Sequence, residues 1–224
     1  VNVSYPFLMR IYHDFELGII TKKDMIIIVE ATISYIVRRV ICEIPTNSLN
    51  KTFAISYKKI KVEKYVQSIL AEYAVKDSYR VFPTDEEIKE KLLSKNIYIL
   101  KIKNYILEML ENQSHKEPIT ITGYGLTVEH IMPQNPNPIK EWKDMLGKNW
   151  EGVQRLYLHT IGNLTLTAYN RELSDRSFEE KKTIKGGFID SHLRLNSDLC
   201  QLDNWNETTI IDRIKRSEEH TSEL

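Results

Sequence analysis

The chain has 224 residues, and its 31 basic and 31 acidic side chains give a formal net charge of zero. This length suffices for one large domain or two small ones with an adequate core. The neutral total gives no support for nucleic-acid binding by itself. The two cysteines, Cys42 and Cys200, are far apart, which argues against a disulfide scaffold or a cysteine zinc site and fits a reducing cytoplasm.

The sequence shows no membrane span and no secretory signal. Its longest apolar run, residues 25–29, ends at Glu30, which is far too short to cross a bilayer. The chain lacks an initiator Met, and we expect it to begin inside a longer protein. Residues 216–224, RSEEHTSEL, are polar without periodicity and resemble translated sequencing-adapter DNA, so we predict a non-native or disordered tail.

A series of amphipathic helices is predicted from the N-terminus to residue 112. The first covers residues 6–17 and ends at Gly18, and the second begins at Thr21, with Asp24 placed to complete a capping box. The apolar stripe of the second helix comprises Ile26, Val29, Ile33, Ile36 and Val40. Further helices are predicted at residues 49–53 and 61–75, after the cap Thr84, and around residues 102–109. Residues 1–112 therefore predict an all-helical bundle.

Basic residues are concentrated between Arg38 and Lys64. Seven basic side chains occur there against two acidic ones, Glu43 and Glu63. Such a cluster is typical of a strip that faces phosphates, or of a solvated helix face. Both interpretations stay open at this point.

The pattern changes after residue 112. A polar connector leads into residues 121–133, where β-branched residues and glycines indicate a short strand or hairpin. A proline-rich loop, a helix at residues 142–146, an extended segment at 156–167 and a helical segment from Asn170 through residues 178–182 follow. The order strand, loop, strand, helix predicts a second domain at residues 113–215.

The predicted strand carries Glu129 and His130, side chains that phosphodiester hydrolysis can use. Hydrolysis needs a base to activate water and a cation to offset negative charge. His130 is a candidate base, and Glu129 with Asn170 could hold magnesium or manganese through oxygen. Neighbours on a strand point to opposite sides, so both reach one site only where the strand ends or bends, as Pro133 suggests. Taken alone, a His beside a Glu is more often an ordinary hydrogen-bonded pair, and an Asn at a helix start is more often a cap than a ligand.

The ordered set of these residues resembles the HNH (His-Me finger) nuclease pattern. Its parts are Glu129-His130-Ile131 with Pro133, then Gly162-Asn163-Leu164, then Asn170 at a helix start. More closely, the chain resembles the C-terminal part of GmrSD-type modification-dependent restriction enzymes. That resemblance rests on HTIGNLTL at residues 159–166, NRELS at 170–174, FEEK at 178–181, YPFL at 5–8, the pair Arg38-Arg39, TNSLNKTF at 46–53 and FPTDEE at 82–87.

The resemblance implies a mainly α protein, in which a helical bundle precedes a small ββα-metal (HNH) domain. His130 would be the general base, Glu129 and Asn170 would bind one divalent ion, Mg²⁺ or Mn²⁺, and Asn163 would orient the loop of the base. The spacing from Asn163 to Asn170 is shorter than in many HNH enzymes, which leaves Asp175 as an alternative ligand. No CxxC zinc pairs occur, so packing must hold the domain together, through Trp142, Trp150, Tyr157 and Phe178.

Further residues receive roles as DNA contacts. Lys181 would touch a flanking phosphate, or pair at the surface with Glu179 or Glu180. His159 would contact the cleaved strand, or support the hairpin as a buried structural histidine. Arg38 and Arg39, which begin the basic cluster, are the candidate DNA-binding residues of the helical region.

The function implied is a metal-dependent endonuclease of the bacterial cytoplasm that cuts modified or foreign double-stranded DNA in defence against phage. An N-terminal nucleotide-using domain of the same protein, absent from this chain, and a second copy of the chain are candidate partners, and no membrane partner is expected. Two alternatives stay open. One is a catalytically silent DNA-binding or scaffold fragment, and the other is an HNH nuclease that cuts RNA.

Overall fold

A computed structural model describes residues 2–113 and 117–222 of the chain, with side chains up to Ser217. The chain divides into two compact units, one extending to Ile88 and the other beginning at Lys89. Within the described residues, no helix combines the length and apolar character that crossing a membrane requires. Residues 114–116, which belong to the predicted polar connector, lie outside the described residues.

The first unit is helical. Its helices are α1 (Tyr5–Glu16), α2 (Lys22–Ile41), α3 (Leu49–Lys58), α4 (Tyr65–Ala74) and the beginning of α5 (Asp85–Leu92). The predicted capping box of α2 is present, since Thr21 Oγ1 accepts a hydrogen bond from the Asp24 amide at 3.2 Å and Asp24 accepts one from the Thr21 amide at 2.9 Å. Thr84 caps α5 as predicted, accepting from the Glu87 amide at 3.2 Å.

The buried face of α2 differs from the predicted stripe. Ile26 is 42% exposed, and the other four predicted positions are half-buried. The buried side instead carries Ile28, Thr32, Tyr35 and Arg39. Polar side chains can occupy it because their groups are bonded internally, as in the 2.7 Å hydrogen bond from Thr32 Oγ1 to the Ile28 carbonyl. The predicted stripe lies to one side of the buried face, with Ile36 packed against the core, because hydropathy ranks Thr32 and Arg39 as surface residues.

Aromatic rings form the centre of the first unit. The ring of Tyr35 stacks on that of Tyr73 with centroids 5.0 Å apart, and it meets Phe53 edge-on at 6.2 Å. Ile28, Ile69 and Leu49 around these rings are fully buried. This core holds α2, α3 and α4 together by burial of large apolar surfaces.

The described part of the second unit contains a small antiparallel sheet and a series of helices. Its elements after α5 are α6 (Lys103–Asn112), β1 (Thr127–His130), α7 (Lys140–Leu146), α8 (Trp150–Tyr157), β2 (Leu164–Thr167), α9 (Asn170–Leu173), α10 (Phe178–Thr183), α11 (Arg194–Ser197) and α12 (Glu207–Ser222). The sheet pairs β1 with β2, from Thr127 opposite Thr167 to His130 opposite Leu164. A mainly helical chain with one two-stranded sheet was predicted, and that part of the prediction is confirmed.

Helix α12 packs closely against the turn that precedes β2. A Cβ atom on Gly162 would lie 2.6 Å from the Ile210 carbonyl oxygen, so only glycine fits there. The fully buried guanidinium of Arg213 donates to the carbonyls of Gly162 at 2.9 Å and Leu164 at 2.7 Å. The start of β2 is thus fixed by a helix about fifty residues later in the sequence.

Helix α6 belongs to the second unit. The Glu111 carboxylate accepts hydrogen bonds from the amides of Arg194 and Leu195, at 2.8 and 2.9 Å, at the start of α11. The compact units therefore divide at Ile88, earlier than residue 112, where the composition of the sequence changes. The extents of the domains, 1–112 and 113–215, stay a prediction.

Two further differences from the predicted elements concern the later part of the chain. Leu156 and Tyr157 belong to α8 and not to an extended segment, which begins only with β2. Arg216 and Ser217, the first residues of the predicted tail, lie within α12, where Arg216 pairs with Asp198 at 2.6 Å. The origin of the tail stays a prediction, and residues 223–224 lie outside the described residues.

Candidate active site

The site is built where β1 ends. Glu129 and His130 are its last two residues, and they pair with Thr165 and Leu164 of β2. Because consecutive side chains on a strand point to opposite faces, the carboxylate and the imidazole begin on different sides of the sheet. Both residues are buried, at 4% exposure each.

Asn163 ties the segment after His130 to the turn before β2. Its side-chain oxygen accepts from the Met132 amide at 2.8 Å, and its side-chain nitrogen donates to the Met132 carbonyl at 3.1 Å and the Leu158 carbonyl at 2.9 Å. Trp205 Nε1 donates to the same oxygen at 3.1 Å. Asn163 is fully buried, so every polar atom of its amide is used. This arrangement favours the predicted part of Asn163 in orienting the histidine loop, which stays a prediction.

His130 lies against a second histidine. Its Nε2 atom is 3.0 Å from Nδ1 of His159, and the two rings are nearly perpendicular at 78°. Tyr98 contacts both, since it meets His130 edge-on at 4.6 Å and stacks on His159 at 5.6 Å. His159 is therefore half-buried beside the candidate base. Neither of its two predicted roles, contact with the cleaved strand or support of the hairpin, is decided by this placement.

Burial determines the protonation state of His130. Burial, together with the nearby His159 and Lys181, lowers the pKa of His130 to about 3. Burial also lowers the pKa of His159. A neutral imidazole is the form that can accept a proton, so His130 is in the state that a general base requires at neutral pH.

Glu129 forms a buried ion pair with Lys181. The Lys181 Nζ atom lies 2.5 Å from Glu129 Oε1 and 2.8 Å from the His130 carbonyl oxygen, and the lysine side chain has no exposed surface. Burial raises the pKa of Glu129 and lowers that of Lys181, and the charge of each opposes the shift of the other. In the described part of the chain, Glu179 and Glu180, the predicted partners of Lys181, form ion pairs with Lys182 and Arg176. Lys182 is the residue that pairs with Glu179, at 2.8 Å.

Asn170 sits beside β1 at the start of α9. Its side-chain nitrogen donates to the Val128 carbonyl at 2.8 Å and to Thr127 Oγ1 at 3.3 Å. Thr127 and Glu129 are two residues apart on the strand and thus share a face. Asp175, the alternative ligand, is exposed and accepts from Asn135 at 3.0 Å. Its charge raises the pKa values of both Glu129 and Lys181.

The predicted site residues are neighbours but do not form one hydrogen-bonded cluster. Among the described side chains, no hydrogen bond joins Glu129, His130 and Asn170 to one another. In that same part of the chain, no group of three or more His, Cys, Asp or Glu side chains could hold a metal ion. The structure thus brings together two pairs, His130 with His159 and Glu129 with Lys181, at one end of a strand.

Arg38 and Arg39, the predicted DNA contacts of the first unit, are buried. Arg38 pairs with Asp85 at 2.6 Å and donates to the Pro83 carbonyl at 3.0 Å. Arg39 donates to the carbonyls of Tyr79 at 3.0 Å and Pro45 at 2.6 Å. Their guanidinium groups are already engaged within the protein, so these contacts account for the arginine pair without DNA.

Two residues of the site have no counterpart in the sequence analysis. Tyr98 comes from the segment between α5 and α6, and its amide and that of Ile97 donate to the His159 carbonyl at 3.4 and 2.9 Å. Trp205 is fully buried and bonds to Asn163. No local pattern marks either residue, because their partners in the site are more than thirty residues away. Trp142, Tyr157 and Phe178 are buried as predicted, whereas Trp150 is half-buried with Lys143 over its ring.

A match to a family model places the chain among restriction endonucleases. The model is that of the GmrSD restriction endonucleases, C-terminal domain, and it covers residues 82–216, more than half of the chain. The chain therefore belongs to this family. Comparisons with curated proteins and with solved structures found no match. The matched range includes every candidate residue from Glu129 to Lys181 and does not include Arg38 or Arg39.

Proposed function

We propose that the chain is a metal-dependent DNA endonuclease of the HNH kind and that His130 is its general base. The observation that carries the proposal is the set of hydrogen bonds that the Asn163 side chain forms after the candidate base. Its amide fixes the backbone immediately after His130 through two hydrogen bonds to Met132. A base must be held within hydrogen-bond reach of the attacking water, and an internal tether of this kind supplies that rigidity.

The sequence order of the elements supports the HNH assignment. An antiparallel strand pair, β1 and β2, is followed by the helical segments α9 and α10. The histidine ends the first strand, Asn163 precedes the second and Asn170 opens the helical part. This is the order that the sequence resemblance implies for a ββα-metal domain.

The chemistry of the site favours water activation by His130. The ring is neutral because its pKa is lowered to about 3. An anionic phosphate beside it would favour the protonated form and bring the pKa back toward the working range. His130 would then take a proton from the attacking water, and Asn163 would hold the backbone that follows His130 in place during the transfer.

Glu129 and Asn170 fit a hard divalent cation by the chemistry of their oxygens. Asn170 uses its side-chain nitrogen for Val128, which leaves its oxygen as the ligand atom. Lys181 engages one carboxylate oxygen of Glu129, and an ionised carboxylate has acceptor sites for more than one cation. A bound Mg²⁺ or Mn²⁺ would offset the charge that builds on the cleaved phosphate.

We place this activity in a modification-dependent restriction system of a bacterial cytoplasm. The proposal rests on the family of the chain, whose members are restriction endonucleases. Modified or foreign double-stranded DNA would be the substrate. A nucleotide-using domain of the same protein and a second copy of the chain would be partners in recognising the target.

Cleavage of supercoiled plasmid tests the proposal. The chain should nick DNA with Mg²⁺ or Mn²⁺ and stop when the metal is chelated. His130→Ala should lower the rate by about 100-fold or more, the range for loss of a general base, while the exposed His192→Ala serves as the control. Equal nicking by the His130→Ala variant would remove the assigned base. Cleavage of RNA without cleavage of DNA would favour the RNA-cutting alternative.

A further inference from the structure

The contact between His130 and His159 limits where the hydrogens of the two rings can be. Nε2 of His130 and Nδ1 of His159 are 3.0 Å apart, the distance of a hydrogen bond. A neutral imidazole has one nitrogen that donates and one that accepts. One of the two facing nitrogens must therefore carry the hydrogen, and the other must present its lone pair.

The two arrangements have different consequences for His130. If His159 donates, the Nε2 lone pair of His130 is occupied and its own hydrogen is on Nδ1, so neither nitrogen can accept a proton from water. If His130 donates through Nε2, its Nδ1 keeps a free lone pair. A histidine with this contact acts as a base only in the second arrangement.

We propose that His159 is a positioning residue that accepts the Nε2–H of His130 and thereby fixes Nδ1 as the base atom. This inference rests on the proposed role of His130. His159 does not touch the substrate in this scheme. It selects the tautomer of its neighbour and stabilises the ring once Nδ1 has taken a proton, because the same hydrogen bond then has a charged donor.

His159 is itself held in place on two sides. Its ring lies nearly parallel to that of Tyr98, at 14°, and its carbonyl oxygen accepts from the Ile97 amide at 2.9 Å. Tyr98 also contacts His130 edge-on, so one aromatic ring covers both imidazoles. The ammonium of Lys103 lies over the Tyr98 ring, 5.1 Å from its centre. The segment before α6 thus fixes the acceptor and limits rotation of both rings.

Because His159 contacts His130 through Nδ1, two substitutions of His159 can separate the presence of an acceptor at that position from the rest of the side chain. The amide of an asparagine lies near the position of histidine Nδ1, whereas the amide of a glutamine reaches toward that of Nε2. His159→Asn should therefore keep an acceptor for His130, and His159→Gln should not. We expect kcat within about threefold of the parent for His159→Asn and about 10–100-fold lower for His159→Gln, the range for loss of an orienting partner, with KM little changed in both. The exposed His192→Gln serves as the control.

Imidazole ¹⁵N NMR of the full metal-free chain, at mildly alkaline pH, reads the tautomer without relying on cleavage. We expect His130 to be protonated at Nε2 in the parent and in His159→Asn, and to populate both tautomers in His159→Gln. Protonation of His130 at Nδ1 in the parent would overturn the inference, as would equal kcat loss in the asparagine and glutamine variants. If the NMR result holds but His130→Ala cleaves normally, the proposed function has failed, and the hydrogen-bond assignment alone survives.

Discussion

The Lys181 ammonium lies 2.5 Å from Glu129 Oε1, where the lysine side chain has no exposed surface and that of the glutamate is only 5% exposed. Lys181 also donates to the carbonyl of His130, so the pair joins α10 to the last residue of β1. A charge removed from water is tolerated only when a partner and hydrogen bonds compensate it. The placement of the site thus depends on an ion pair that the sequence analysis did not foresee.

Removing the lysine should destabilise the chain strongly. Lys181→Met leaves the Glu129 carboxylate buried without its cation, and we expect the free energy of unfolding to fall by about 3–5 kcal/mol. Lys185→Met, at an exposed position two residues after α10, is the control, because surface substitutions usually change stability by no more than about 0.5 kcal/mol. Urea denaturation measures both.

The double variant Glu129→Gln/Lys181→Met separates the ion pair from simple loss of packing. With both charges gone, we expect a smaller loss than for Lys181→Met alone. If the two residues were not coupled, the loss in the double variant would equal the sum of the losses in Glu129→Gln and Lys181→Met. Such an additive result would contradict a direct interaction between them.

Asn163→Ala should lower both stability and cleavage. The variant leaves the Met132 amide and Trp205 Nε1 without an acceptor in a fully buried environment, and each unsatisfied group costs about 1–3 kcal/mol. We expect a loss of about 2–4 kcal/mol in urea denaturation. Asn104→Ala, at an exposed position of α6, should change stability by no more than about 0.5 kcal/mol. Similar values for the two variants would show that Asn163 tethers nothing.

The free energy of unfolding should decrease as the pH is lowered, because the unfolded chain binds a proton at His130 more tightly than the folded chain does. Its pKa is about 3 in the folded chain and 6.5 as the ordinary value, so between these limits the unfolded state binds the proton more tightly. Stability is then lost as pH decreases below about 6.5 and is unaffected by His130 above it. Compared with His130→Gln, the parent should show a slope steeper by up to about 1.4 kcal/mol per pH unit in urea titrations. Equal slopes in the parent and in His130→Gln would refute the shift.

Arg39→Lys should destabilise the first unit. A lysine ammonium cannot reach the carbonyls of Pro45, Tyr79 and Val81 that the guanidinium joins. We expect a loss of about 2–3 kcal/mol, since hydrogen bonds from charged groups contribute most. Arg10→Lys, at an exposed position, should stay within about 0.5 kcal/mol of the parent in thermal unfolding. No difference between the two variants would mean that Arg39 is not a structural residue.

The helices and the motif order could be read from the sequence because their signals are local. Thr21 with Asp24 and Thr84 with Glu87 are caps three residues apart, and the glycine and asparagine before β2 stand in one short motif. The two-stranded sheet followed from the same stretch. These features depend on neighbouring residues, which is the information that a single sequence carries best.

The contacts that define the site could not be read in this way. Lys181 and Glu129 are separated by 52 positions, and Trp205 and Asn163 by 42. A lysine also carries a strong expectation of exposure, and the same expectation placed Arg38 and Arg39 at a phosphate-facing surface. Pairing and burial of charges depend on the folded chain, so a hydropathy pattern places these buried charged residues at the surface.

Rescue by free imidazole tests the assigned base most directly. His130→Gly removes the ring and leaves room for a small molecule to replace it, so cleavage of plasmid DNA by the variant should be slow and should rise with imidazole concentration. We expect a recovery of at least about tenfold out of the roughly 100-fold or greater loss, while the parent chain shows no acceleration. A His130→Gly variant that cleaves at the parental rate, or one that imidazole accelerates no more than it does the parent, would contradict a base at this position.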